Sequence, residues 1–119
     1  MTNIHHAIDY VEIYVGDRMA QTRSFYEQAF GWTFNDYGPD YAGIRWSDGD
    51  GEVGGLNATR KPVRGGVLVL LYSDNLDATV TAVTAAGGEV VEGPYTFPGG
   101  RRFHFTDPAG NELGVWASA

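Results

Sequence analysis

The chain has no cysteine. Disulfides, thiolate metal centres and cysteine nucleophiles are therefore excluded. Basic residues are scarce, with 8 Lys+Arg against 15 Asp+Glu and a formal net charge of -7. Duplex nucleic acid needs a basic footprint, so no nucleic-acid partner is expected. No apolar run approaches the ~18 residues that a membrane span requires, so no membrane partner is expected either. The first seven residues are polar and carry two histidines, without the apolar stretch of a secretory leader. The expected location is the cytoplasm. Proline is sparse at 5 residues, whereas glycine is abundant at 17 of 119 and forms no repeat. That distribution predicts many tight turns or close backbone approaches. Hydrophobic residues make up 43% of the chain, enough for one globular core.

Alternation places Val11, Ile13 and Val15 on one face of a strand and Tyr10, Glu12 and Tyr14 on the other. A helix follows from about Met19 to Phe30, with Asp17 as its candidate N-cap and Gly31 as a C′ glycine. Three short strands are expected near Trp32–Tyr37, Tyr41–Ser47 and Glu52–Asn57. Gly38-Pro39-Asp40 and Asp48-Gly49-Asp50-Gly51 turn between them. The order then repeats. Val67–Leu71 reads as a strand, and Leu76, Val80 and Val83 mark a helix that begins at Asp74-Asn75 and stops at Gly87-Gly88. Strands near Glu89–Glu92, Arg102–Thr106 and Glu112–Ala117 complete it. Aligning Gly31 with Gly87 places Val11, Ile13 and Val15 on Val67, Val69 and Leu71. The pattern predicts an α+β chain of two βαβββ modules, one about 8–57 and one about 66–117, joined by a linker over 58–65, in a single domain 1–119. Each helix covers one face of its sheet. The open faces, set against each other, line a cleft, and so short a chain favours a homodimer.

Several motifs stand in a fixed order: Phe25-Tyr26…Phe30-Gly31-Trp32, Asn75-Leu76-Asp77-Ala78…Gly87-Gly88, Gly99-Gly100-Arg101…Phe105, and Asp107-Pro108-Ala109-Gly110-Asn111. In this order the chain resembles the vicinal oxygen chelate superfamily, which includes glyoxalase I, extradiol dioxygenases and the bleomycin and fosfomycin resistance proteins. The resemblance spans roughly Ile8 to Ala117. It implies a glyoxalase/bleomycin-resistance-like cleft, but it does not choose among many chemistries. Metal-dependent members place one ligand, typically His or Glu, on each of four strands. Those positions fall here on Tyr10, Gly54 or Gly55, Leu68 and Gly114. Glycine and leucine side chains cannot ligate, and a phenol rarely does. The inherited metal site is therefore expected to be absent, and no cofactor is implied. Its replacements suggest an aromatic, roomy cavity with a few polar points.

The candidate ligand-binding residues are Tyr10, Tyr14, Arg45, Leu68, Leu70, Tyr95, Phe97, His104 and Trp116. Glu12 is the candidate acid/base if its carboxyl is desolvated beside Leu68 and Tyr14; a salt bridge to Arg45 is the competing reading. Tyr95 and Phe97 fall in a glycine-flanked stretch, Pro94–Gly100, that reads either as a mobile lid or as a fixed rim. His104 is either a hydrogen-bonded structural histidine or a catalytic one. Glu112 reads as an exposed strand end. Glu12, His104 and Glu112 together are the one set that could restore a metal. Arg60, Lys61, Arg64, Arg101 and Arg102 form either a solvated surface or a basic rim that attracts anions. His5 and His6 point to opposite faces if extended and make no chelating pair. Asn57-Ala58-Thr59 is a glycosylation sequon without a secretory context. Three functions follow: a metal-free small-molecule binder of the resistance or sequestration type, with an aromatic or partly apolar ligand; a lyase or isomerase using Glu12 or a divalent metal; and a structural or regulatory dimer subunit.

Overall fold

The computed structural model describes residues 3–49 and 51–119; Asp50, in the second expected turn, lies outside them. The first module runs β1 (Val11–Tyr14), α1 (Met19–Phe30), β2 (Phe34–Asp36), β3 (Tyr41–Arg45) and β4 (Glu52–Asn57). The second runs β5 (Leu70–Tyr72), α2 (Leu76–Ala85), β6 (Glu89–Phe97), β7 (Gly100–Thr106) and β8 (Glu112–Ala117). The sheets have the same order, β1-β4-β3-β2 and β5-β8-β7-β6. In each, the first strand pairs parallel with the last and the other pairings are antiparallel. The two-module α+β reading is correct.

The alternation of β1 survives intact: Ile13 and Val15 are buried, and Val11 packs against the core. Phe25 and Tyr26 of α1 are fully buried, and their rings reach into the second module. Phe25 and Phe30 each lie 5.6 Å from Phe105 of β7. The Tyr26 hydroxyl donates to Asp107 Oδ2 at 2.9 Å. Asp107 also accepts from the backbone N–H groups of Ala109 and Asn111, each at 3.0 Å, which holds the turn between β7 and β8. The Asn111 amide then donates to the Tyr14 carbonyl at 2.8 Å. The Asp-Pro-Ala-Gly-Asn turn thus ties α1 and β1 to the second sheet. Burial raises the Asp107 carboxyl above its ordinary range, although the donors around it pull the other way.

Four local expectations are corrected. Asp17 does not cap α1. Gly16 turns with φ +56°, the Arg18 amide closes on the Val15 carbonyl, and Arg18 becomes the N-cap with no side-chain bond. Asn75, by contrast, does cap α2, accepting from the Ala78 amide at 3.1 Å. The β5 strand starts late: Val67 is 88% exposed, because the ladder forms only where this edge strand lies beside Gly114–Trp116. The strand positions of the two modules therefore correspond two residues later than the helix-end alignment implied. Leu70 stands opposite Gly114 as Glu12 stands opposite Gly55. Finally, there is no Pro94–Gly100 loop. The register shifts between Glu92 and Tyr95, and Gly93 takes φ +82°. The strand then resumes, with Tyr95 opposite Arg102 and Phe97 opposite Gly100. An edge strand tolerates proline at such a bulge. Tyr95 and Phe97 lie on a paired strand of the β6–β7 hairpin rather than in a loop.

Candidate functional site

The open face of the first sheet carries a network of phenols and carboxylates. Glu52 accepts from Asn35 at 2.9 Å, from Tyr10 at 3.2 Å and from the Tyr37 hydroxyl. The Tyr10 and Tyr41 hydroxyls bond at 2.8 Å. Tyr41 donates to Glu12 Oε2 at 3.0 Å, and Asn57 donates to Glu12 Oε1 at 2.9 Å. Hydrogen bonds from Tyr37 and then Asn35 hold the Glu52 carboxyl below its ordinary range. Tyr41 is pushed far up by burial and by its hydroxyl partners, so it stays a protonated donor.

Glycines make this bed possible. A Cβ on Gly55 would collide with the Tyr41 hydroxyl, and one on Gly43 would collide with the Glu52 carboxyl. The space freed at Gly55 is therefore filled by Tyr41. The missing Cβ of Gly54 faces the Val11 carbonyl on the core side. Glu12 is exposed and bound by Tyr41 and Asn57, not desolvated beside Leu68 and not paired with Arg45. Arg45 is half-buried and lines a groove with Trp32, Trp46 and Ser47. Both ends of the Asn57 amide in the sequon have partners: Nδ2 donates to Glu12, and Oδ1 accepts from the Thr59 amide and hydroxyl.

The open face of the second sheet is aromatic. Trp116 meets Tyr72 edge-on at 5.1 Å and Phe97 at 6.3 Å. The Arg102 guanidinium lies over Phe97 at 5.3 Å and over Tyr95 at 5.4 Å. Leu70 and the His104 ring converge over Gly114, filling the space it leaves. His104 is only 7% exposed. It bonds Glu112 Oε2 through Nδ1 at 2.9 Å and Tyr95 Oη through Nε2 at 3.0 Å. Glu112 is half-buried rather than a free strand end. His104 and then Arg64, at 3.0 Å, hold its carboxyl below the ordinary range.

The structure thus gathers the predicted residues into two groups: Tyr10 and Glu12 on the first sheet, and Leu70, Tyr95, Phe97, His104 and Trp116 on the second. Tyr14 lies 6.0 Å beneath the Arg60 guanidinium. Leu68 precedes β5 and is half-buried. Sequence reasoning missed Tyr37, Tyr41, Glu52 and Asn35. Their signal was there, since Tyr41 and Gly43 share a parity in β3 that opposes the core residues Ala42 and Ile44.

Metal-dependent chemistry needs a convergent donor set. Tyr10, Gly55, Leu68 and Gly114 provide none, and Glu12 and Glu112 line one groove without His104. Among the described residues no three His, Cys, Asp or Glu side chains come together to hold an ion.

Two βαβββ modules with open, polar–aromatic sheet faces define the glyoxalase-like class of fold. The family model "Glyoxalase/Bleomycin resistance protein/Dioxygenase superfamily" matches residues 7–115, and the chain belongs to that superfamily. No curated protein matches the chain. Among solved structures it is similar to a glyoxalase/bleomycin resistance protein/dioxygenase family enzyme from Burkholderia phytofirmans PsJN, with TM-score 0.78 and 20% identity over 94% of this chain and 98% of that one. It is also similar to TnmS3, an antibiotic binding protein from Streptomyces sp. CB03234, with TM-score 0.71 and 25% identity over the whole of both chains. Protein ATC0852 from Agrobacterium tumefaciens has TM-score 0.75 and 24% identity over 95% of this chain and 98% of that one.

Proposed function

We propose that this protein binds an aromatic or partly apolar small molecule between its open sheet faces, without a metal, as a homodimer. The observation that supports the reading is the unlike character of the two open faces. One offers Trp116, Tyr72 and Phe97 as apolar surface. The other offers fixed carboxylates and phenols. A flat aromatic body with polar substituents satisfies both. The similarity to an antibiotic binding protein supports a sequestration role. Tyr10, Leu70 and Tyr72 are 41%, 38% and 57% exposed in a single chain. Apolar and aromatic surface of this kind supports a second copy completing the cleft.

Thermal-shift screening of aromatic metabolites and antibiotics tests the reading. Binders are expected to raise the Tm of the wild type, and Trp116→Ala is expected to abolish the shift. A library that moves neither protein, or both equally, overturns the proposal. Light scattering should give a dimer mass; a monomer at micromolar concentration removes the shared cleft. Metal analysis of untagged protein purified without chelator should give no stoichiometric ion. Near one ion per chain would overturn the metal-free reading.

A further inference from the structure

We propose that Tyr95, His104 and Glu112 form a proton relay, with the Tyr95 phenol as the group that exchanges a proton with a bound molecule. The hydrogen-bond directions leave one arrangement for a neutral imidazole. Glu112 is a carboxylate and accepts, so Nδ1 carries the proton. Nε2 is then a bare acceptor, and the Tyr95 hydroxyl donates to it at 3.0 Å. Arg102 Nε–H, which has no acceptor capacity, donates to the same Tyr95 oxygen. Arg64 Nε–H donates to the other Glu112 oxygen at 3.0 Å. The chain therefore runs in one direction from Arg102 through Tyr95 and His104 to Glu112.

Consider one proton moving from Tyr95 Oη to His104 Nε2. The O–H bond breaks and an N–H bond forms. The new phenolate faces the Arg102 guanidinium, and the new imidazolium faces the Glu112 carboxylate. Glu92, 3.8 Å from Nε2, adds a second negative group beside the imidazolium. Each charge appears next to an opposite charge already in place, so little reorganisation is needed. The buried imidazole is reached through the phenol, and Tyr95 is half-buried on the open face. This is the arrangement of an activated tyrosine, in which a carboxylate orients the base and the base serves the reacting oxygen. It differs from the acid/base role considered for Glu12, whose partners on the first sheet are a phenol and an amide. It implies a ligand with a transferable proton or an electrophilic carbon at that spot.

The test uses N-acetylimidazole on the free full-length protein, with each tyrosine followed by peptide mass. The Tyr95 oxygen forms a bond to the acetyl carbon and the acetyl–nitrogen bond breaks. The phenol proton passes to His104 and then to water, and imidazole leaves after taking a proton from water. Tyr95 should acetylate at least 10-fold faster than Tyr72, although Tyr72 is the more exposed ring. His104→Gln should remove that advantage and Glu112→Gln should cut it several-fold. A Tyr95 rate no greater than that of Tyr72, or one unchanged in His104→Gln, overturns the relay. Long-range proton–nitrogen NMR of the wild type is independent of any variant's folding. Protonated Nδ1 with bare Nε2 supports the proposal, and the opposite tautomer overturns it. Neither measurement involves the ligand of the proposed cleft, so a failure here is distinct from a failure there.

Discussion

The two modules repeat one topology and part company on their open faces. On the first, carboxylates and phenols bond each other across glycines. On the second, aromatic rings surround a buried imidazole. The core sides of both sheets are alike, because each must cover a helix with branched and aromatic residues. The open sides are free of that demand, and chemistry diverged there. The Asp107 hub and the Phe25–Phe105 contact show that the modules share a core while differing in surface.

The largest effect should come from breaking what the modules share. Asp107→Ala removes the acceptor of Tyr26, Ala109 and Asn111 and leaves these buried or half-buried donors unpaired. Destabilisation of about 3 kcal/mol is expected, read by urea unfolding. Tyr26→Phe removes only one donor, so about 1 kcal/mol is expected, provided the raised Asp107 carboxyl relaxes by keeping its backbone donors. Equal losses in the two variants would show that the Tyr26 bond carries the whole effect and that the turn's own donors add nothing.

The next contrast sets one face against the other through their glycines. Gly55→Ala places a methyl group on the Tyr41 hydroxyl, so Tyr41 must leave both Glu12 and Tyr10. A loss of about 1–3 kcal/mol is expected. Gly114→Ala meets the end of the Leu70 side chain, which is partly exposed and can swing aside. Its cost should stay below about 1 kcal/mol. If Gly114→Ala is the more damaging, the second face is the more tightly built and the contrast reverses.

How much of this was legible in the sequence depended on range. Alternation identified Ile13 and Val15 as core, and the α1 boundaries, the Asn75 cap and the β4 and β8 strands follow from local pattern. The extent of β5 did not, because an edge strand is as long as its single neighbour allows. Nor did the continuation of β6 past Pro94, because a bulge is a property of pairing. The candidate site was legible only in its parity. Tyr10, Glu12, His104 and Trp116 carry the right parity, but their partners lie 29 to 45 residues away for Glu12. Glu52 was unremarkable in its own strand, and only the folded sheet, in which its carboxyl reaches over Gly43 and meets Tyr37, makes it a hub.

The smallest effect concerns acid. Glu52 on the first face and Glu112 on the second both have lowered carboxyls, through Tyr37 and Asn35 in one case and His104 and Arg64 in the other. A folded value below the unfolded value of 4.5 means that each contributes stability above about pH 4.5. That contribution is lost as pH falls through the lowered folded value. Asp107 has the opposite sign, since its raised carboxyl favours the fold as it takes up a proton. The net fall in Tm below pH 4.5 should therefore be shallow. Glu52→Gln and Glu112→Gln should each flatten it further, and Asp107→Asn should steepen it. The two glutamates are held by different kinds of donor. Neutral phenols and an amide serve Glu52, whereas an arginine and an imidazole serve Glu112. Salt screens the guanidinium attraction but not a neutral hydrogen bond. In high salt the Glu112→Gln difference should shrink and the Glu52→Gln difference should persist. Equal salt sensitivity would erase the electrostatic distinction between the two faces.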